Sequence, residues 1–150
     1  NRGFIKRIKK IGDSPWKLYK EKRYKDAMYL FGELAFLYQD VGDLEKACEC
    51  FYLAAECAFL IKDYSFAEME YCRSLDIGLK IKSIFVNGAI KGLKRLYTIT
   101  ERRDLIRKVQ EIEDLDKPKG VIICSKCNAI MPKDPKPTRP PMISRTYPAL

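Results

Sequence analysis

Apolar residues recur at helical spacing over most of the chain, and between residues 22 and 81 the pattern itself repeats. Three successive units, 22–41, 42–61 and 62–81, align position by position. The third position is Tyr24, Leu44 or Tyr64, and the sixth is Ala27, Ala47 or Ala67. The tenth is aromatic in each (Phe31, Phe51, Tyr71), and the last is β-branched (Val41, Ile61, Ile81). A fixed period of this length predicts a stack of helices. The expected helices run from Tyr24 to Gln39, Leu44 to Ile61 and Tyr64 to Ile81. Between the first two, Val41-Gly42-Asp43 supplies a left-handed stop and a cap, and Lys62-Asp63 makes the next turn and cap. Connections this short force antiparallel neighbours. The tyrosine and phenylalanine columns are expected in the core.

The flanks follow the same pattern less strictly. Phe4, Ile5, Ile8 and Ile11 make a basic amphipathic stretch with Arg2, Lys6, Arg7, Lys9 and Lys10. Two readings apply: an added helix packed on the stack, or a helix for a membrane surface or an acidic partner. Ser14-Pro15 is expected to cap and open a short helix through Trp16 and Tyr19. A fourth, degenerate unit places Val86 and Ala89 in the first two columns and Leu93 in the aromatic one. Its Gly88 and Gly92, each costing about 1 kcal/mol relative to Ala, share a face and can admit a close neighbour. A charged terminal helix is expected from Asp104 to Leu115, with Arg103-Asp104-Leu105 as its turn and cap. From residue 117 onward, eight prolines and glycines (Pro118 to Pro148) preclude helix and predict an extended tail.

Charge sharpens this outline. Residues 1–25 carry ten Lys/Arg against two acids, and 117–150 seven against one, whereas 26–81 carry four against eleven. The regular helices are the acidic part, which favours protein partners over nucleic acid, although basic ends can still meet phosphate. No apolar run approaches the roughly 20 residues that span a bilayer. The chain contains no histidine, which counts against a Ser-His or Cys-His hydrolase, and no phosphate-binding glycine loop. Its first residue is Asn1 rather than Met, which suits a processed chain or a piece of a longer one. Cys48, Cys50, Cys57 and Cys72 fall within helical patterns and are expected as small core residues of a protein in a reducing, intracellular setting.

Several of these residues carry a resemblance. Leu34-Ala35-x-x-Tyr38 followed by Gly42-Asp43-Leu44-x-x-Ala47 resembles the first helix and turn of a tetratricopeptide repeat. Lys62-Asp63-Tyr64-x-x-Ala67, continuing to Tyr71 and Leu75, resembles its second helix. Two units make a hairpin of 40 residues, similar to the long repeats of kinesin light chains and of cell-polarity adaptors that bind G-protein regulators. No proline closes the units. Over residues 24–115 the resemblance implies a binding scaffold whose groove takes a peptide or a neighbouring solenoid.

The one candidate chemical site lies in Val121-Ile122-Ile123-Cys124-Ser125-Lys126-Cys127-Asn128. Three β-branched residues suit a short strand, and Cys124 and Cys127 have the spacing of a zinc knuckle. They supply two of the four ligands a structural zinc needs. Three readings stay open: half a zinc ribbon completed from elsewhere, a metal-free hairpin with two ordinary thiols, or a redox pair. The end of the chain resembles the C-termini of intraflagellar-transport and coat-type subunits, where helical repeats give way to ribbons.

The expectation is therefore an all-α protein, an antiparallel helical-hairpin α-solenoid of tetratricopeptide-like type with an extended proline-rich tail. It comprises a basic segment (1–21), a repeat domain (22–116) and a tail (117–150). Functionally it reads as a non-enzymatic, cytoplasmic scaffold or structural subunit of a multiprotein assembly, ciliary or trafficking by resemblance. The alternatives are nucleic-acid or ribosome binding through the basic ends, and a zinc or redox protein using Cys124 and Cys127.

Overall fold

The computed structural model describes residues 2–116, 121–123 and 130–132. Seven helices follow in order: α1 (Arg2–Ile11), α2 (Ser14–Lys20), α3 (Tyr24–Asp40), α4 (Leu44–Leu60), α5 (Tyr64–Ile81), α6 (Val86–Ile99) and α7 (Arg103–Asp116). Two short strands, β1 (Val121–Ile123) and β2 (Ile130–Pro132), come after them. Among the described residues no helix is long and apolar enough to cross a membrane. The chain divides into two compact units, residues 1–109 and 110–150.

In the first unit the period of the sequence becomes a period of turns. Lys22, Gly42, Lys62 and Lys82 all adopt left-handed backbone, with φ of 62°, 86°, 63° and 56°. At three of them the closing bonds repeat. Lys22 N–H donates to Tyr19 and Arg23 N–H to Leu18, Gly42 to Gln39 and Asp43 to Tyr38, and Lys62 to Phe59 and Asp63 to Ala58. This double bond to the last carbonyls is the Schellman closure, and Glu101 and Arg102 use it again after α6. Asp43 and Asp63 then cap the following helices, each side chain accepting from the backbone N–H three residues on at 3.3 and 3.2 Å. The cap of α2 differs from expectation. Asp13 holds that position without a side-chain bond, and Ser14 is already the first helical residue.

Packing follows the turns. Phe31, Phe51 and Tyr71 are fully buried, as are Ala27, Ala47 and Ala67. The alanines let neighbouring backbones approach, and each buried ring removes roughly 150–250 Å² from water. The third-position column is less buried than expected. Tyr24 and Tyr64 are half-buried and Leu44 is exposed, because they sit on the first turn where the neighbouring helix is already ending. Residue pairs show the helix directions. As α4 advances through Cys48, Tyr52 and Phe59, its partners in α5 run back through Ser74, Tyr71 and Tyr64. Between α5 and α6 the same reversal pairs Gly78 with Val86, Tyr71 with Gly92 and Glu68 with Tyr97. The pairs α4–α5 and α5–α6 are thus antiparallel. Alternate helices also touch: Tyr29 of α3 meets Phe66 of α5, and Phe59 of α4 meets Arg95 of α6.

Helix α1 packs on α3. Ile11 is buried, Phe4 and Ile8 are half-buried, and Arg7 forms a two-pronged pair with Glu33, Nε to Oε1 at 2.7 Å and Nη2 to Oε2 at 3.0 Å. Of the four helical cysteines, Cys48, Cys50 and Cys57 are buried as expected, whereas Cys72 is exposed on the outer side of α5.

In the second unit, Gln110 donates to Glu113 and Asp114 within α7. Strands β1 and β2 form an antiparallel hairpin in the register Val121↔Pro132, Ile122↔Met131 and Ile123↔Ile130. The strand expected ahead of the cysteine pair is therefore present, and a second strand follows that pair in sequence.

Candidate binding cleft

A cleft of about 230 Å³ opens between α4 and α6, lined by Tyr52, Glu56, Gly88, Lys91, Gly92 and Arg95. It exists because of two glycines one turn apart. Helix α6 presents bare backbone at Gly88 and Gly92, and the rings of Tyr52 and Tyr71 occupy the volume where β-carbons would stand. The helix-propensity cost of each glycine, about 1 kcal/mol, is offset by this close approach.

The polar groups of the cleft are fixed before any ligand arrives. Glu56 Oε1 accepts from the Tyr71 hydroxyl at 2.5 Å and lies 3.6 Å from Arg95 Nη2. Arg95 also donates to the Tyr71 oxygen at 3.4 Å, and its guanidinium sits 3.9 Å over the Phe59 ring. A cation held on an aromatic face and against a carboxylate has lost most of its rotamer freedom. Burial, followed by the adjoining Glu56 carboxylate, pushes the Tyr71 hydroxyl well above its ordinary range, and the same two causes raise Tyr52. Both hydroxyls therefore stay protonated and serve as donors. Lys91, one turn before Arg95, has no ion-pair partner among the described residues. What the arrangement offers is recognition: an aromatic floor, two cations at the rim and a carboxylate already engaged.

The thiols point the same way. Burial pushes Cys50 and Cys57 up to about 12 and raises Cys48, which is clasped to α5 by reciprocal bonds with Ser74. A thiol raised this far is not a nucleophile at neutral pH. Among the described residues no group of three or more His, Cys, Asp or Glu side chains is placed to hold a metal ion. Cys124 and Cys127, the pair for which zinc was the candidate cofactor, lie outside the described residues.

Sequence reasoning raised Gly88 and Gly92 as points of close approach, and both are. It did not single out Tyr52, Glu56, Lys91 or Arg95. The available signal was the glycine pair itself, with Lys91 and Arg95 each three residues beyond one of the glycines. No protein-family model, curated protein or solved structure matches this chain.

Proposed function

We propose that this protein is a non-enzymatic, tetratricopeptide-like α-solenoid that binds other proteins as a scaffold or structural subunit of a larger assembly. The observation that carries the reading is the preformed cleft between α4 and α6, with Arg95 held by Glu56, Tyr71 and Phe59 and Lys91 left for a ligand. A site ordered in advance does not spend binding energy on arranging its own side chains. Further support comes from the left-handed turns at Lys22, Gly42, Lys62 and Lys82, which recur every 20 residues. Stacked copies expose long surfaces suited to extended ligands.

The test is recovery of partners from the protein's own cells with a tagged chain, quantified for wild type against Lys91→Glu. Lys91 is exposed and has no ion-pair partner among the described residues, so the variant reverses charge at the rim without touching the core. Partners recovered with wild type and lost with the variant are the expected result. Equal recovery would remove the cleft as the binding site, and no partner above background with either chain would overturn the scaffold reading.

A further inference from the structure

A second surface lies on the outer side of α1, α3 and α5. Tyr29, Glu33 and Phe36 stand four and three residues apart and so form one stripe along α3. Tyr29 and Phe36 are 56% and 44% exposed, and Met69 of α5 is 43% exposed. The stripe is bordered on both sides. At Glu33 it meets Arg7 of α1. On the α5 side the Tyr29 ring contacts Phe66 edge-on at 6.1 Å, and the Arg73 guanidinium lies 4.9 Å from the centre of the Phe36 ring. Arg73 is itself anchored on the buried Glu70. Large apolar side chains left exposed together, between charged borders, mark interaction surfaces.

The charges say what kind of partner fits. Helix α1 carries Arg2, Lys6, Arg7, Lys9 and Lys10 and no acid. Arg7 is neutralised by Glu33, and among the described residues no carboxylate pairs with the other four. We infer that α1, α3 and α5 together dock an acidic segment of a partner protein, its apolar anchors on Tyr29, Phe36 and Met69 and its carboxylates against α1. A bilayer is a poorer occupant, because α1 already spends Phe4, Ile8 and Ile11 on α3 and keeps Ile5 as its exposed apolar side chain. A nucleic-acid backbone is also poorer, since its phosphates offer no apolar partner to the exposed Tyr29, Phe36 and Met69. The inference deepens the scaffold reading and rests on it, but it concerns a different face from the cleft.

The experiment pans the full chain against a displayed library of random 16-residue peptides, then measures the most enriched peptide by fluorescence anisotropy at low and high salt. Enriched sequences are expected to be net acidic with two or more large apolar residues, and their binding to weaken at least tenfold with salt. The same tenfold loss is expected for Lys6→Glu with Lys10→Glu, and independently for Tyr29→Ser with Met69→Ser, all at exposed positions. Lys108→Glu, at an exposed cation of α7 that belongs to neither surface, should change nothing. Enrichment without acidic bias overturns the proposal, as does binding insensitive to both double variants. Binding lost with Lys91→Glu alone overturns this surface and leaves the scaffold reading standing. Failure to enrich any peptide counts against both. Phosphatidylserine vesicles and a single-stranded RNA 20-mer are run alongside. Tighter binding of either, dependent on Lys6 and Lys10 but not on Tyr29 and Met69, also overturns the assignment to a protein segment.

Discussion

The ring of Tyr71 packs directly on the backbone of Gly92, in the volume any other residue would fill with its β-carbon. Tyr71 is fully buried and its hydroxyl is tied to Glu56, so the ring has nowhere to retreat. Gly92→Ala gains about 1 kcal/mol of helix propensity. It also forces a methyl group into a packed ring, which costs typically 1–3 kcal/mol or more where the neighbour cannot move. The expected outcome is net destabilisation, read as a lower urea midpoint. Gly88→Ala makes the contrast. The atoms it meets are the outer end of the half-buried Tyr52 ring, which can swing into the cleft. That variant should be neutral or slightly more stable while narrowing the cleft.

The turns give a second pair of variants. Gly42 has φ of 86° and nothing within 4 Å of an added Cβ, so Gly42→Ala isolates the backbone cost of a left-handed residue, roughly 1–2 kcal/mol. Lys62 occupies the equivalent position at 63° and already bears that cost. Asparagine visits this conformation more readily than lysine and avoids the extra unfolded-state freedom of glycine. Lys62→Asn should therefore raise the melting temperature, and Gly42→Ala should lower it. Equal and negligible shifts would mean that the turns relax without strain.

This pair also shows how far the sequence could be read. Gly42-Asp43 announces its turn through residue chemistry, and Asp63 announces the next cap. Lys22, Lys62 and Lys82 carry no such signal, and only their place in the period puts them in left-handed backbone. The core columns were legible for the same reason: an alanine and an aromatic ring every 20 residues can satisfy neighbouring helices in one way. The cleft was not legible, because Tyr52, Glu56 and Arg95 meet across helices and none is unusual within its own. The exposure of Cys72 was hidden as well. In α5, where Glu68, Glu70, Arg73 and Asp76 interrupt the apolar positions, the pattern does not say which small residue faces outward.

Cysteine labelling tests that last point. Cys50 and Cys57 are buried and pushed up to about 12, and Cys48 is buried and held by Ser74, so all three stay protonated and shielded at neutral pH. Cys72 is exposed. Iodoacetamide followed by peptide mass spectrometry should modify Cys72 first among these four, with the other three reacting only when denaturant opens the fold. Simultaneous modification of Cys50 or Cys57 would show that α4 opens locally far more often than its burial implies.

Glu70 carries the pH dependence. It is 1% exposed, one carboxylate oxygen has no hydrogen-bond partner, and Arg73 engages the other. Burial raises its carboxyl above the ordinary value of 4.5, with the Arg73 charge and hydrogen bond opposing in part. A group that holds its proton more tightly in the folded state contributes stability that is complete below the unfolded-state value and is lost as pH rises through the folded one. Glu70→Gln has no proton to lose and keeps the shape of the side chain. The stability of the variant relative to wild type should therefore improve as pH is raised above the ordinary carboxyl value of 4.5, then level off once Glu70 is ionised. Urea unfolding of both chains across that range measures it. The attraction of Arg73 for the ionised carboxylate is already contained in the folded-state position of the Glu70 carboxyl, so its loss in the variant belongs to the same slope and adds no separate one. A difference that stays flat with pH would place the Glu70 carboxyl at its ordinary value, and would mean that water reaches the oxygen left without a partner.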